Sequence, residues 1–439
     1  MSTPRVAFTY EKLPNGLRYI LAPDSLAPVV AVNVWYGVGS RHEVAGRTGF
    51  AHLFEHVMFQ GSAHVSKAEH ISLVQAAGGT MNGTTWLDRT NYFETLPSHR
   101  LDLALWLEAD RMATLLDALN QDNLDNQREV VKNEKRWSYD NQPYGLWSHK
   151  LQASLFPPDH PYHHPTIGSM EDLDAASVED VAAFFRTYYA PNNAVLSIVG
   201  DFDPAEARAS VERLFGPIAA APPPPPLPDT PLPLSLGGEV REEVADRVPL
   251  TRIYVGFRAP VFGDPRLRAL EIGGQILAGG KGSRLHRRLV REERIAQDVT
   301  FFAMGFVGGA SIAAGWATVR PGVDASRVET AYIEELDRVA RELVTADELG
   351  RAQALVETES LAALQRVEDR ADQLSMYATL FDDPDRINRE LAAYLAVTAE
   401  DVRDACAEVF REDNRAVITY VPAEGTPSDP GAAGEEAAS

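Results

Sequence analysis

The feature that most constrains this chain is a proline run near its middle. Gly216-Pro217 is followed by Pro222 to Pro226, Pro228, Pro231 and Pro233. Proline has no amide donor for a helix or sheet ladder and favours the extended polyproline conformation, so the run reads as a connector between two packed units. The expected organisation is an N-terminal domain over 1–216, a linker over 217–235 and a C-terminal domain over 236–424. Residues 425–439 are Gly, Ala, Pro, Ser and Glu with no apolar periodicity, and this stretch reads as a disordered acidic tail.

The two halves look related. Asn193 to Val199 has a counterpart in Asn414 to Val421, each an apolar strand closing its half. Val30 to Tyr36 and Arg252 to Phe257 are strands at matching earlier positions, each followed by a turn and a helical pattern. An internal duplication follows. Strands and helices mix without regular βαβ alternation, which predicts an α+β fold of two homologous domains, each a mostly antiparallel sheet packed with helices.

Acidic residues outnumber basic ones, 63 against 41. Such a field repels phosphate backbones and anionic lipid, so neither nucleic acid nor membrane is an expected partner, while cationic ligands are attracted. No apolar run approaches the roughly 20 residues that cross a bilayer, and Met1 to Tyr10 shows no apolar stretch of signal-peptide length. A cytoplasmic location is the expectation. The single cysteine, Cys406, rules out an intrachain disulfide framework and leaves a metal site to His and carboxylate ligands.

Such ligands occur in Gly49 to Phe59, an apolar helical stretch that embeds His52, Glu55 and His56. Positions i and i+4 share a helix face, so His52 and His56 present two imidazoles to one point, with Glu55 beside them. A catalytic zinc needs a third protein ligand plus a water. The helical stretch Asn123 to Tyr139 offers Glu129 and Glu134, and spacing alone does not choose between them. With zinc in place, Glu55 is positioned to take a proton from the metal's water and return it to a leaving amine.

These residues resemble those of the pitrilysin superfamily of zinc peptidases, in the short-subunit branch that includes bacterial relatives of the mitochondrial processing peptidase. The resemblance spans nearly the whole chain. It rests on Leu13-Pro14-Asn15-Gly16-Leu17, Gly39-Ser40-Arg41, His52-Leu53-Phe54-Glu55-His56, Gly78 to Thr85, Asp88-Arg89-Thr90 and Gly282-Ser283-Arg284-Leu285. It implies that Glu134, not Glu129, completes the zinc site, one zinc per chain. It also implies that an extended substrate pairs with an edge strand at Asn82 and Gly83. Where the family usually has a Glu seven residues before the third ligand, this chain has Gln127, which keeps a hydrogen-bonding group near the ligands and loses a charge.

A second departure bears on assembly. Relatives that complete their site with a second chain use an Arg and a Tyr seven residues apart; aligned on Ala296, the residues here are Val290 and Gln297, with Arg291 one position off. The resemblance therefore implies a zinc-bearing endopeptidase subunit in a heterodimer with a paralogous chain that lacks HxxEH and supplies the Arg and Tyr. A homodimer is the alternative assembly, and a non-catalytic subunit of a larger complex is the alternative function. His163 and His164 lie in a proline-rich stretch, and adjacent residues point in different directions, so they read as a surface loop.

Overall fold

The computed structural model describes residues 5–227 and 230–424; the expected tail at 425–439 lies outside them. The strands are β1 (Thr9–Lys12), β2 (Arg18–Pro23), β3 (Val29–Tyr36), β4 (Thr80–Thr85), β5 (Thr90–Pro97), β6 (Ala194–Gly200), β7 (Val240–Asp246), β8 (Arg252–Ala259), β9 (Ala296–Met304), β10 (Ser311–Val319) and β11 (Arg415–Pro422). The helices are α1 (Phe50–Val57), α2 (Glu69–Ala76), α3 (Leu101–Ala118), α4 (Gln121–Lys135), α5 (Trp147–Leu155), α6 (Met170–Ala175) and α7 (Val178–Tyr188). They continue as α8 (Pro204–Phe215), α9 (Pro265–Ala278), α10 (Ala325–Arg341), α11 (Ala346–Gln365), α12 (Val367–Phe381), α13 (Glu390–Leu395) and α14 (Ala399–Val409).

The chain forms two compact units. Of the described residues, the first gathers 5–134, 164–227 and 359–391; the second gathers 135–163, 230–358 and 392–424. The linker expected at 217–235 thus accounts for only one of the crossings between units, since each half of the sequence also lends a segment to the other's unit.

The first unit holds a six-stranded sheet in the order β1-β2-β6-β3-β5-β4. Its pairs are antiparallel except β2 with β6. Central β3 is buried from Val30 to Tyr36, so neither sheet face meets water there and, Asn33 apart, its composition is apolar on both sides. Tyr36 and its neighbours Tyr92 and Tyr189 face α1, where Phe54 meets the Tyr189 ring at 4.2 Å. On the opposite face lies α12, whose Ser375 hydroxyl bonds that of Ser197 on β6 at 2.7 Å.

The second unit repeats the pattern with the order β7-β11-β8-β10-β9 and one parallel pair, β7 with β11. One face carries the apolar core, with α9, α10 and α14 contributing Leu270, Leu336 and Cys406. The other receives α5. There Trp147 stacks on Tyr254 at 5.0 Å, and a Cβ on Gly256 would come within 2.6 Å of Leu151, so glycine at 256 is what lets the helix approach. Apart from the additional edge strand β1 of the first sheet, strand order and the single parallel pair match between the units, and the fold is α+β as expected.

Candidate active site

Helix α1 begins at Gly49, whose φ of 86° is costly for any residue with a Cβ. Gly49 has no side chain to cap the helix, and Glu43 does so from outside, accepting from Gly49 N at 2.8 Å and Ala51 N at 2.7 Å. Phe50, Ala51, Leu53, Phe54 and Val57 are buried. The remaining face carries His52, Glu55 and His56, as the spacing predicts.

Across from it, α4 presents Glu134. His52 Nε2 lies 3.7 Å from Glu134 Oε1, and His56 Nε2 lies 3.3 Å from Oε2. Ligand atoms in a tetrahedral zinc site with ~2.1 Å bonds are about 3.4 Å apart, so these three residues fit the group. The protonation states fit too. Burial and the charge of His56 push the His52 imidazole down to about 4, and the hydrogen bond from His56 holds the Glu134 carboxyl below its usual range. The remaining ring nitrogen of His52, Nδ1, is buried without a hydrogen-bond partner. Burial raises Glu55, chiefly against the opposing effect of Thr85.

Glu55 and His56 border an open cavity of about 520 Å³ that is also lined by Phe59, Ile71, Met81, Asn82 and Gln127. Gln127 is buried and donates to Asn126 Oδ1 at 3.0 Å rather than to His52 or His56. Asn82 is exposed, its Oδ1 accepting from Gly83 N at 2.9 Å. Gly83 is buried, and a Cβ there would sit 3.2 Å from Glu55 Cγ. Strand β4, which carries both, is the edge of its sheet. In the second unit, Val290 packs against the apolar core, while Arg291 and Gln297 are exposed.

A second group of possible metal ligands, His70, Glu94 and Glu108, is fully buried. Arg111 occupies the cation's role there: it forks onto Glu108, with Nε donating to Oε2 at 3.0 Å, and lies over the Tyr92 ring at 4.3 Å and the Phe59 ring at 5.4 Å. His70 Nε2 meets Glu94 Oε1 at 2.7 Å. Burial pushes both Glu94 and Glu108 up to about 7 despite Arg111, and burial with the Arg111 charge pushes His70 down to about 3. A metal ion here would face a fixed guanidinium at close range, so the cluster braces the wall behind Phe59.

His163 and His164 lie in a loop, as expected, and are half-buried. His163 Nδ1 reaches Phe156 O at 2.7 Å, and His164 Nε2 reaches Glu43 at 2.9 Å. His164 thus supports the carboxylate that caps α1, a tertiary pairing across 121 residues with no local signal. Burial opposes its charge, but Glu43 raises the imidazole above its ordinary range. A raised folded-state value means that this stabilisation is complete below about pH 6.5 and fades as pH climbs through the raised value. His164→Ala is expected to cost roughly 2–3 kcal/mol at pH 6. Urea unfolding of both proteins should show the gap narrowing by pH 8; a gap independent of pH would remove the charge from the account.

Comparison with known proteins agrees with this geometry. Residues 18–156 match the family described as insulinase, peptidase family M16, and residues 175–356 match the peptidase M16 inactive domain. The chain is similar to the zinc protease PqqE of Helicobacter pylori, 27% identical with 93% of this chain and 92% of that protein covered. It is also similar to the uncharacterized zinc protease YmxG of Bacillus subtilis, 23% identical over 91% of this chain and 95% of its relative. The crystal structure of a protease from Helicobacter pylori superimposes with a TM-score of 0.87 at 26% identity, covering 95% of this chain and all of that one. A peptidase M16 inactive domain from Pseudomonas fluorescens shares the fold, with a TM-score of 0.83 at 17% identity, covering 97% and 99% of the two chains. The chain belongs to peptidase family M16, the pitrilysin superfamily, and to its short-subunit type. Among the described residues no helix is long and apolar enough to cross a membrane.

Proposed function

We propose that this chain is a zinc-dependent endopeptidase for extended or unfolded peptides, with one zinc held by His52, His56 and Glu134 and with Glu55 as general base. The observation that carries this reading is the approach of both histidine Nε2 atoms to the Glu134 carboxylate at 3.7 and 3.3 Å, with Glu55 next in the chain to a ligand and facing an open cavity. The names of relatives, zinc proteases, support it.

When bound, zinc supplies Lewis-acid polarisation of water and of a peptide carbonyl. The chain's own residues do the rest. Glu55 takes a proton from the attacking water and hands it to the leaving nitrogen. Strand β4 offers its outer main-chain groups around Asn82 and Gly83 to an extended peptide, a mode that gives affinity with little sequence preference. Phe59, Ile71 and Met81 give the cavity an apolar side for one substrate side chain, and the net charge of −22 favours basic peptides.

The reading extends to a two-chain chamber in the cytoplasm. Val290 is committed to packing and Gln297 carries no charge, so a paralogous partner lacking HxxEH is assigned the oxyanion-stabilising Arg and Tyr. A non-catalytic assembly role is disfavoured by the presence of all four site residues. The test is cleavage of a quenched fluorescent peptide, alone and with such a partner, alongside zinc analysis. One zinc per chain, and a rate at least about a hundredfold lower after chelation, are expected. Cleavage indifferent to chelation, or no zinc and no cleavage in either mixture, would sink the reading.

A further inference from the structure

Strand alternation sets the two faces of β4 to different tasks. Gly83, paired with Tyr92, lies on the face of Glu55. Thr84, paired with Asn91, lies on the opposite face, where a partly buried polar chain begins. Arg89 Nη1 donates to the Thr84 carbonyl oxygen at 2.9 Å and to Asn91 Oδ1 at 2.8 Å, and it also reaches the Thr84 hydroxyl. Its guanidinium lies 5.2 Å over the Trp35 ring. Asn91 Nδ2 donates in turn to Asp372 Oδ1 at 3.1 Å. The same oxygen accepts from Trp35 Nε1 at 2.8 Å and from Asn33 Nδ2 at 3.3 Å.

Asn33 and Asn91 are 1% and 2% exposed, so these two amides cannot exchange partners with water. A half-buried carboxylate oxygen that accepts from three neutral donors, with the Arg89 guanidinium bonded to one of those donors, is firmly held and costly to leave incomplete. Only one end of β4 is held this way, and it is the end beside Gly83 and Glu55. Asp372 comes from α12, more than 280 residues along the chain from Asn91.

We propose that Asp372 is a positioning residue for peptide hydrolysis: through Asn91 and Arg89 it fixes the end of β4 in the register that an extended substrate pairs with. It touches neither substrate nor metal ligand. The inference rests on the peptidase reading for its consequence, while its structural half stands on β4 alone.

The experiment compares Asp372→Ala and Asp372→Asn with the parent chain, in the presence of the partner if activity requires it. Asp372→Ala is expected to raise KM for an extended peptide about tenfold, with kcat within about twofold, because strand pairing binds ground and transition states alike. In the Glu55→Gln background, which holds substrate without turnover, the affinity for a labelled peptide should fall by a similar factor. Asparagine keeps an acceptor oxygen for Trp35 and Asn91, so Asp372→Asn should recover most of the loss. Zinc content should stay at the parent's value, and amide exchange should quicken at residues 80–85. Unchanged exchange there, faster exchange with unchanged KM and affinity, or a loss confined to kcat would each overturn the proposal. A parent chain that neither binds nor cleaves peptide would instead remove the peptidase reading; exchange at 80–85 would still decide whether Asp372 orders the strand.

Discussion

Glu55→Gln is expected to lower kcat by roughly a hundred- to ten-thousandfold while zinc remains at one per chain. The amide matches the carboxylate in size, which matters because a Cβ on Gly83 would already sit 3.2 Å from Glu55 Cγ. It keeps the helix and both imidazoles in place and removes only the group that can accept a proton. KM should change little. The check is steady-state cleavage of the quenched peptide beside elemental analysis of the same sample. A variant that loses its zinc would make Glu55 a structural residue, and one retaining kcat within tenfold would assign the base elsewhere.

The largest effect on stability is expected at Arg111. Replacing it by Met keeps much of the side chain's volume under Tyr92 and Phe59 but strands Glu108, 1% exposed, and Glu94, also 1% exposed, without their cation. Loss of one partner of a buried pair costs about 3–5 kcal/mol. The pH dependence identifies the cause. Both carboxyls are already pushed up to about 7 by burial, above their unfolded range near 4.3. A raised acid stabilises the fold when protonated, so this contribution is present at low pH and is lost as pH rises toward 7. Without Arg111 the two carboxyls shift further in the same direction. Arg111→Met should therefore be closest to the parent near pH 5 and furthest from it at pH 7–8, as read from urea midpoints. A deficit equal at both ends would point to lost packing rather than to stranded charge.

Much of the site was legible in the sequence because its chemistry is local. His52, Glu55 and His56 share one helical face by spacing alone, and Gly49 to Phe59 contains the observed α1 (Phe50–Val57). The choice of Glu134 over Glu129 required the family resemblance, since both lie on α4 and periodicity treats each as a possible ligand. In the structure the Glu134 carboxylate lies 3.7 and 3.3 Å from the two imidazoles, while Glu129 pairs with Lys132 at 3.0 Å. The strands at 30–36, 193–199, 252–257 and 414–421 were legible for a similar reason. An apolar run buried on both faces has few other places to go.

What the sequence could not supply is partnership across distance. Glu43 with His164, Arg111 with Glu108 beside Glu94 and His70, and Asp372 with Asn91 are brought together only when the sheet closes, and no spacing rule anticipates a contact over 121 or 281 residues. The make-up of the units was hidden for the same reason. Proline marks where the chain cannot hold regular structure, and so it marks the connector. Which helix covers which sheet face is set by shape: the Ser375 hydroxyl against Ser197 for α12, and Leu151 against Gly256 for α5. The sequence by itself determined the strands, the helix and the chemistry that sits on them, because those follow from short-range periodicity. The tertiary structure alone decided which buried charges meet and which half of the chain supplies each covering helix, because burial energy depends on partners, and partners exist only in three dimensions.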